Sequence, residues 1–163
     1  MKLPLPVLNF LKRRAADISA RTPSKVIGVE YLTRWHVLPK NPLFNVYLHH
    51  VQGNDPDTHL HDHPWLFNCS IVLRGEIDET LPKRHRVLKE GTVTGRMSRA
   101  PHRLDLRSND SLTLFLTGPK IRRWGFYTEK GWVDSDQYLR QGGDGRAVNT
   151  QYLSDNAAER ITN

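Results

Sequence analysis

The sequence predicts one all-β domain, a sandwich or barrel, preceded by a helical arm and followed by a polar tail. Three observations lead there. From Lys25 onward, short β-branched or aromatic segments alternate with period two. Clusters of Pro, Gly, Asn and Asp separate those segments at short intervals. The length of 163 residues suits one domain with a buried core.

The elements follow in chain order. Residues 4–20 fit an amphipathic helix, with Val7, Leu8, Leu11, Ala15 and Ile18 on one stripe and Lys12, Arg13 and Arg14 largely off it. Pro4 or Pro6 suits its start, and Thr22-Pro23 closes it. Strands are expected near 26–38, 43–51, 65–74, 86–88, 92–98, 101–107, 111–117 and 121–127. The breaks between them include Pro39-Lys40-Asn41-Pro42, Gly53-Asn54-Asp55-Pro56, Arg74-Gly75, Ser108-Asn109-Asp110 and Gly118-Pro119. From Gln141-Gly142-Gly143 the chain turns polar, and a short helix is expected near Ser154–Arg160. The expected division is an arm over 1–24, the β domain over 25–141 and a tail over 142–163.

Composition narrows the function classes. A hydrophobic share of 37% with 25% charged residues is globular, and no apolar run approaches the roughly 20 residues that cross a bilayer. The first residues place apolar side chains ahead of basic ones, the reverse of a secretory signal, so a cytoplasmic protein is expected. Cys69 is the single cysteine, which rules out an internal disulfide and every zinc motif built on paired cysteines. Any metal must therefore rest on histidine and carboxylate. The net charge of +7 is concentrated. Lys2, Lys12, Arg13, Arg14, Arg21 and Lys25 face only Asp17 in the first 25 residues, leaving +5 there and +2 elsewhere. This reads first as a solvated basic arm and second as an accessory contact with nucleic acid or an anionic surface.

Three of the eight histidines fall within five residues, in Thr58-His59-Leu60-His61-Asp62-His63-Pro64-Trp65. Side chains two apart on a strand share a face, so a His-x-His pair can offer two imidazoles to one ion. Continuing the odd phase gives Trp65, Phe67, Cys69, Ile71 and Leu73, an apolar set, so His61 and His63 are expected to point inward with it. Pro101–Arg107 alternates as well, putting His102 on one face with Leu104 and Leu106. Two histidines from one strand and one from another make a facial ligand set. His50 shares a phase with Phe44, Val46 and Leu48 and is expected inside as a supporting histidine. His59 has the odd phase but sits nearer the loop, while His36, His49 and His85 read as surface or structural.

The span from Gly53 to Gly75 resembles the first motif of the cupin superfamily, His-x-His followed by a glutamate and then a turn glycine. Counting back from Gly75 assigns the histidine pair to His61 and His63 and puts Asn68 in the glutamate position. The stretch Gly95–Leu104 is similar to the second motif and supplies His102. A vacated glutamate with three histidines resembles the cysteine dioxygenase-like cupins. The span from Tyr31 to Leu139 is most similar to small cupin proteins of bacteria and bacteriophages. The resemblance implies a jelly-roll barrel with one divalent metal on His61, His63 and His102.

Iron(II) is the favoured metal, with zinc, manganese or nickel as alternatives, and the implied activity is oxygenation of a small anionic metabolite. The alternatives are a metal-stabilised ligand-binding or sensor module without turnover, and a phage accessory protein acting on nucleotides or modified DNA bases. His59, His50, Asn68 and Cys69 are additional or supporting candidates, and Trp65 and Phe67 are expected to wall the substrate pocket. A homodimer is the expected macromolecular partner, with nucleic acid at the basic arm as the second reading of that arm, in the host cytoplasm if the protein is viral.

Overall fold

The structure, a computed structural model, describes residues 1–27 and 31–141. The expected tail, with its helix near Ser154–Arg160, lies outside these residues. Two helices and twelve strands are described: α1 Leu5–Ser19, β1 Lys25–Ile27, β2 Leu32–His36, β3 Asn45–Val51, β4 Leu60–His61, β5 Phe67–Arg74, β6 Glu76–Leu81, β7 Arg84–Lys89, β8 Val93–Met97, β9 Arg103–Leu106, β10 Ser111–Thr117, β11 Gly125–Thr128, β12 Gly131–Asp134 and α2 Ser135–Arg140. No described helix is long and apolar enough to cross a membrane.

The strands form three sheets. A six-stranded sheet runs β1-β2-β3-β10-β5-β8, and two three-stranded sheets run β12-β11-β4 and β7-β6-β9. Neighbouring strands within each sheet pair antiparallel. The arrangement is jelly-roll-like, but the sheets do not close into the expected barrel. The reason is local. β4 is only two residues long, and Pro64, just after it, has no N–H to donate to a ladder. The small sheets therefore meet through one isolated pair, His61 opposite His102, and Trp65 opposite Lys120 makes another isolated bridge.

Helix α1 follows the extended Pro4, carries Pro6 in its first turn, where its fixed φ suits the helix, and covers one face of the large sheet. Leu8 and Ala15 are buried there against Trp35, Leu48 and Leu73, with Leu11 and Ile18 packed beside them. The Trp35 indole donates to the Arg21 carbonyl and ties down the end of the arm. Lys12 pairs with Glu90 at 2.9 Å, so part of the arm's positive charge is held against the domain.

This packing inverts the sequence expectation about phase. The apolar sets (Val46 and Leu48 on β3, Ile71 and Leu73 on β5) face α1, not the interior between the sheets. The other phase of the large sheet (Tyr47, His49, Ser70, Thr113, Phe115) lines a cleft of about 540 Å³. The turn between β5 and β6 fixes the register. Gly75 has φ +85°, and a Cβ there would lie 2.3 Å from the Asp110 carbonyl oxygen, so only glycine fits.

Candidate metal centre

His61 ends β4, His63 follows it, and His102 immediately precedes β9. His61 and His102 exchange both backbone hydrogen bonds at 2.9 Å, which sets their side chains next to each other at the seam of the small sheets. The His63 N–H donates to the Ser98 carbonyl at 3.1 Å and anchors the third histidine. Ring centroids stand 5.2, 5.0 and 5.1 Å apart, a near-equilateral triangle. One ring nitrogen from each falls within 4.8 Å of the others. His63 Nε2 lies 2.8 Å from His102 Nε2.

That spacing fits an ion. Two nitrogens bound cis to one divalent metal at about 2.0–2.1 Å are held about 3 Å apart. Protonation works in the same direction. Burial, followed by nearby charge, pulls the His63 and His102 imidazoles well below their usual value, so both are neutral. Neutral imidazole is the form that binds a metal.

Asp62 shows why the tripeptide alternates. Its side chain is fully buried on the opposite side from the histidines. There it accepts from the Gly125 N–H at 2.8 Å, Arg122 at 2.7 Å, the Trp132 indole at 3.1 Å and the Tyr127 hydroxyl at 3.3 Å. One carboxylate thus locks the histidine strand to the β11–β12 hairpin.

Two further carboxylates stand beside the histidines, and one of them orients its partner. Glu79 on β6 is fully buried and accepts from His102 Nδ1 at 3.0 Å, which turns Nε2 toward the other histidines. Glu79 also accepts from Arg86 at 2.5 Å and from Arg96. Asp55 lies 3.7 Å from His61 Nδ1, and is itself held by the Tyr31 hydroxyl and the Leu104 N–H. The sequence reading passed over Glu79 because it placed no strand over 76–81. The signal was there: Glu79 shares the odd phase with Ile77 and Leu81, so a carboxylate sits in an apolar register.

The other candidates scatter. Trp65 lines the cleft, stacked 5.6 Å from His63. Phe67, expected beside it, is 39% exposed and packs under Gly118, because the phase flips between Pro64 and β5. Cys69 has the same outward phase, and burial pushes its thiol up. Asn68 is the residue whose phase turns inward; it is 1% exposed. His50 points to the α1 side and pairs with Asp110 at 2.7 Å. His59 bonds the Tyr138 hydroxyl at 2.8 Å, outside the triangle. His49, read from sequence as surface or structural, instead lines the cleft, where its Nε2 accepts from Arg34.

No family model matches the chain, and no curated protein matches it. Solved structures do. KdgF from a Halomonas species superposes with a TM-score of 0.52 at 19% identity, over 63% of this chain and 91% of that one. A double-stranded β-helix domain protein from Klebsiella pneumoniae gives 0.50 at 16%, over 69% and 92%. The chain has the cupin fold. Iron(II)-bound HppE with an alternative substrate gives 0.50 at 16%, over 61% of this chain and 57% of that one. Identities this low establish the cupin fold and nothing about activity.

Proposed function

We propose that this cupin holds one divalent metal on His61, His63 and His102 and is an oxygenase of a small anionic metabolite, with iron(II) as the favoured metal. The observation that carries the reading is the convergence of three imidazole nitrogens within 4.8 Å at the wall of a cleft. The HppE structure with the same fold is an iron(II) protein with an organic substrate, which is consistent with it. Three neutral ligands leave the ion its full +2 charge and open positions, so when bound it supplies a Lewis acid for an anionic chelator and a binding place for dioxygen.

The protein's own residues do the rest. Glu79 fixes the tautomer and direction of His102 through its hydrogen bond to Nδ1. Trp65 and Phe115, in edge-to-face contact at 5.6 Å, make a rigid apolar wall against His63 that excludes water from one side of the site. Lys40 and Lys120 line the cleft and bring positive charge to its wall, which draws in an anion.

Oxygen uptake by iron(II)-loaded protein tests this, with small 2-hydroxy, 2-oxo and 2-mercapto carboxylates as substrates. The expected result is substrate-dependent uptake that disappears in His102→Ala. Saturable carboxylate binding without uptake would reject the oxygenase and leave a metal-stabilised binding module.

A further inference from the structure

Helix α1 buries one stripe and leaves its other side to solvent, and that side is not polar. Leu8, Leu11, Ala15 and Ile18 take the stripe against the large sheet. At about 100° per residue, Pro6, Phe10, Arg13 and Asp17 fall on the side away from it. Val7 and Arg14 flank them on one edge and Leu5 on the other. Met1 is 87% exposed, Leu5 71%, Val7 45% and Phe10 54%, so four large apolar side chains crowd the first ten residues. Single exposed apolar residues are ordinary, but a gathering of them marks a contact surface.

This is not a loose end. The Val93 N–H donates to the Met1 carbonyl and the Leu3 N–H to the Gly91 carbonyl, each at 2.9 Å, and Lys12 pairs with Glu90. The apolar side chains are therefore presented without the entropy cost of ordering a mobile segment on contact. The charge beside them chooses the partner. Arg13 and Arg14 follow on the exposed side, and Arg21 lies exposed just beyond the helix. Asp17 is the single acidic residue of α1, 3.9 Å from Arg14. A nucleic-acid backbone would use these cations and leave Leu5, Val7 and Phe10 in water. An anionic bilayer uses both, taking apolar side chains into the headgroup–acyl boundary and arginines onto lipid phosphates.

We propose that the outward face of α1 is a peripheral docking surface for an anionic lipid bilayer. The apolar N-terminal half of the helix, with Met1, Leu5, Val7 and Phe10, dips to the base of the headgroups. Arg13 and Arg14 in the second half meet the phosphates. The helix lies on the membrane and does not cross it. The cleft is on the other face of the large sheet, so it stays open to water in the docked protein. None of these residues lines the cleft, so docking is independent of the metal centre.

Vesicle flotation of the full chain tests this, with phosphatidylcholine alone and with an equal mixture of phosphatidylcholine and phosphatidylglycerol. Wild type is expected to float with the mixed vesicles, to stay behind with the neutral ones, and to bind more weakly as salt is raised. A cation at an anionic surface strengthens binding about fivefold, so Arg13→Gln with Arg14→Gln should weaken it at least about tenfold. Leu5→Ser with Phe10→Ser should weaken it by about the same factor, because the boundary contact is lost. Val7→Ser, a milder change, should weaken it severalfold and serves if either pair fails to fold by circular dichroism. Lys83→Gln with Arg84→Gln removes the same charge from exposed sites at the far end of β7 from Glu90 and should change little. Folded wild type that does not float with the mixed vesicles overturns the proposal, as does equal binding to neutral ones. Undiminished flotation of the folded serine pair, or an equal loss in the Lys83 and Arg84 control, overturns it too. Wild type that instead binds duplex DNA, with loss in the Arg13 and Arg14 pair and none in the serine pair, makes the arm a nucleic-acid contact and rejects the bilayer.

Discussion

Glu79 is the residue on which most of the centre depends. Its carboxylate, with no exposure, simultaneously orients His102 and pairs with both Arg96 and Arg86. Removing its charge in Glu79→Gln should cost about 3–5 kcal/mol of folding stability, because a buried guanidinium loses its counter-ion. Metal affinity should also fall about 10–100-fold as His102 loses its orienting partner. Denaturant unfolding of metal-free protein measures the first effect and a competitive chelator titration the second. His49 makes a separate prediction. Burial first, then Arg34 and His36, holds its imidazole well below the ordinary value, and Arg34 donates to its Nε2. The folded state therefore resists protonating His49 while the unfolded chain accepts a proton at about pH 6.5. Its contribution is complete above that pH and is lost as pH falls below it, with a slope of about 1.4 kcal/mol per pH unit. His49→Gln should flatten the acid limb of the stability–pH curve by that amount, as read by denaturant midpoints between pH 7 and 5.

At the scale of elements, the arm is part of the domain. Leu8 is 3% exposed between α1 and the large sheet, so Leu8→Ala should destabilise by about 2–5 kcal/mol in chemical denaturation. A change near zero would mean that the helix does not dock. The same interface explains what was legible in the sequence. Alternation marked most of the strands, and the His61–His63 and His102 phases placed three rings on common faces. The apolar phase of β3 and β5, however, was assigned to the interior. A sheet covered by a helix on one side and carrying a ligand cleft on the other shows its most apolar phase toward the helix. Phe67, Cys69 and His50 therefore went to the wrong side, and His49 was missed. The break at Pro64 is what allows His63 and Ser70, residues of opposite phase, both to line the cleft, and no periodicity argument carries through such a break. β6 was overlooked because its charged residues, Glu76, Asp78 and Glu79, mask a two-residue period held only by Ile77 and Leu81.

At the scale of the molecule, three small units with different duties meet around one cleft. The β12-β11-β4 sheet carries His61, with His63 just beyond it. The β7-β6-β9 sheet carries Glu79 and abuts His102, and the large sheet supplies Arg96, Ser70 and Phe115. The centre lies where the small sheets are joined by one bridge, His61 to His102. An ion on these residues would link the two sheets, so loading should stabilise the whole fold rather than one loop. At a free metal concentration about 100 times the dissociation constant, the gain is about 2.7 kcal/mol, seen as a rise in Tm that the single histidine variants lack.

The most direct measurement of the central claim is elemental analysis of protein purified without chelator or immobilised metal, comparing wild type with His61→Ala, His63→Ala and His102→Ala. The three-histidine centre predicts close to one divalent metal per chain in wild type and loss of it in each variant, with folding retained by circular dichroism. Folded wild type that binds no divalent metal after anaerobic reconstitution, or variants that retain it at full stoichiometry, would contradict the claim.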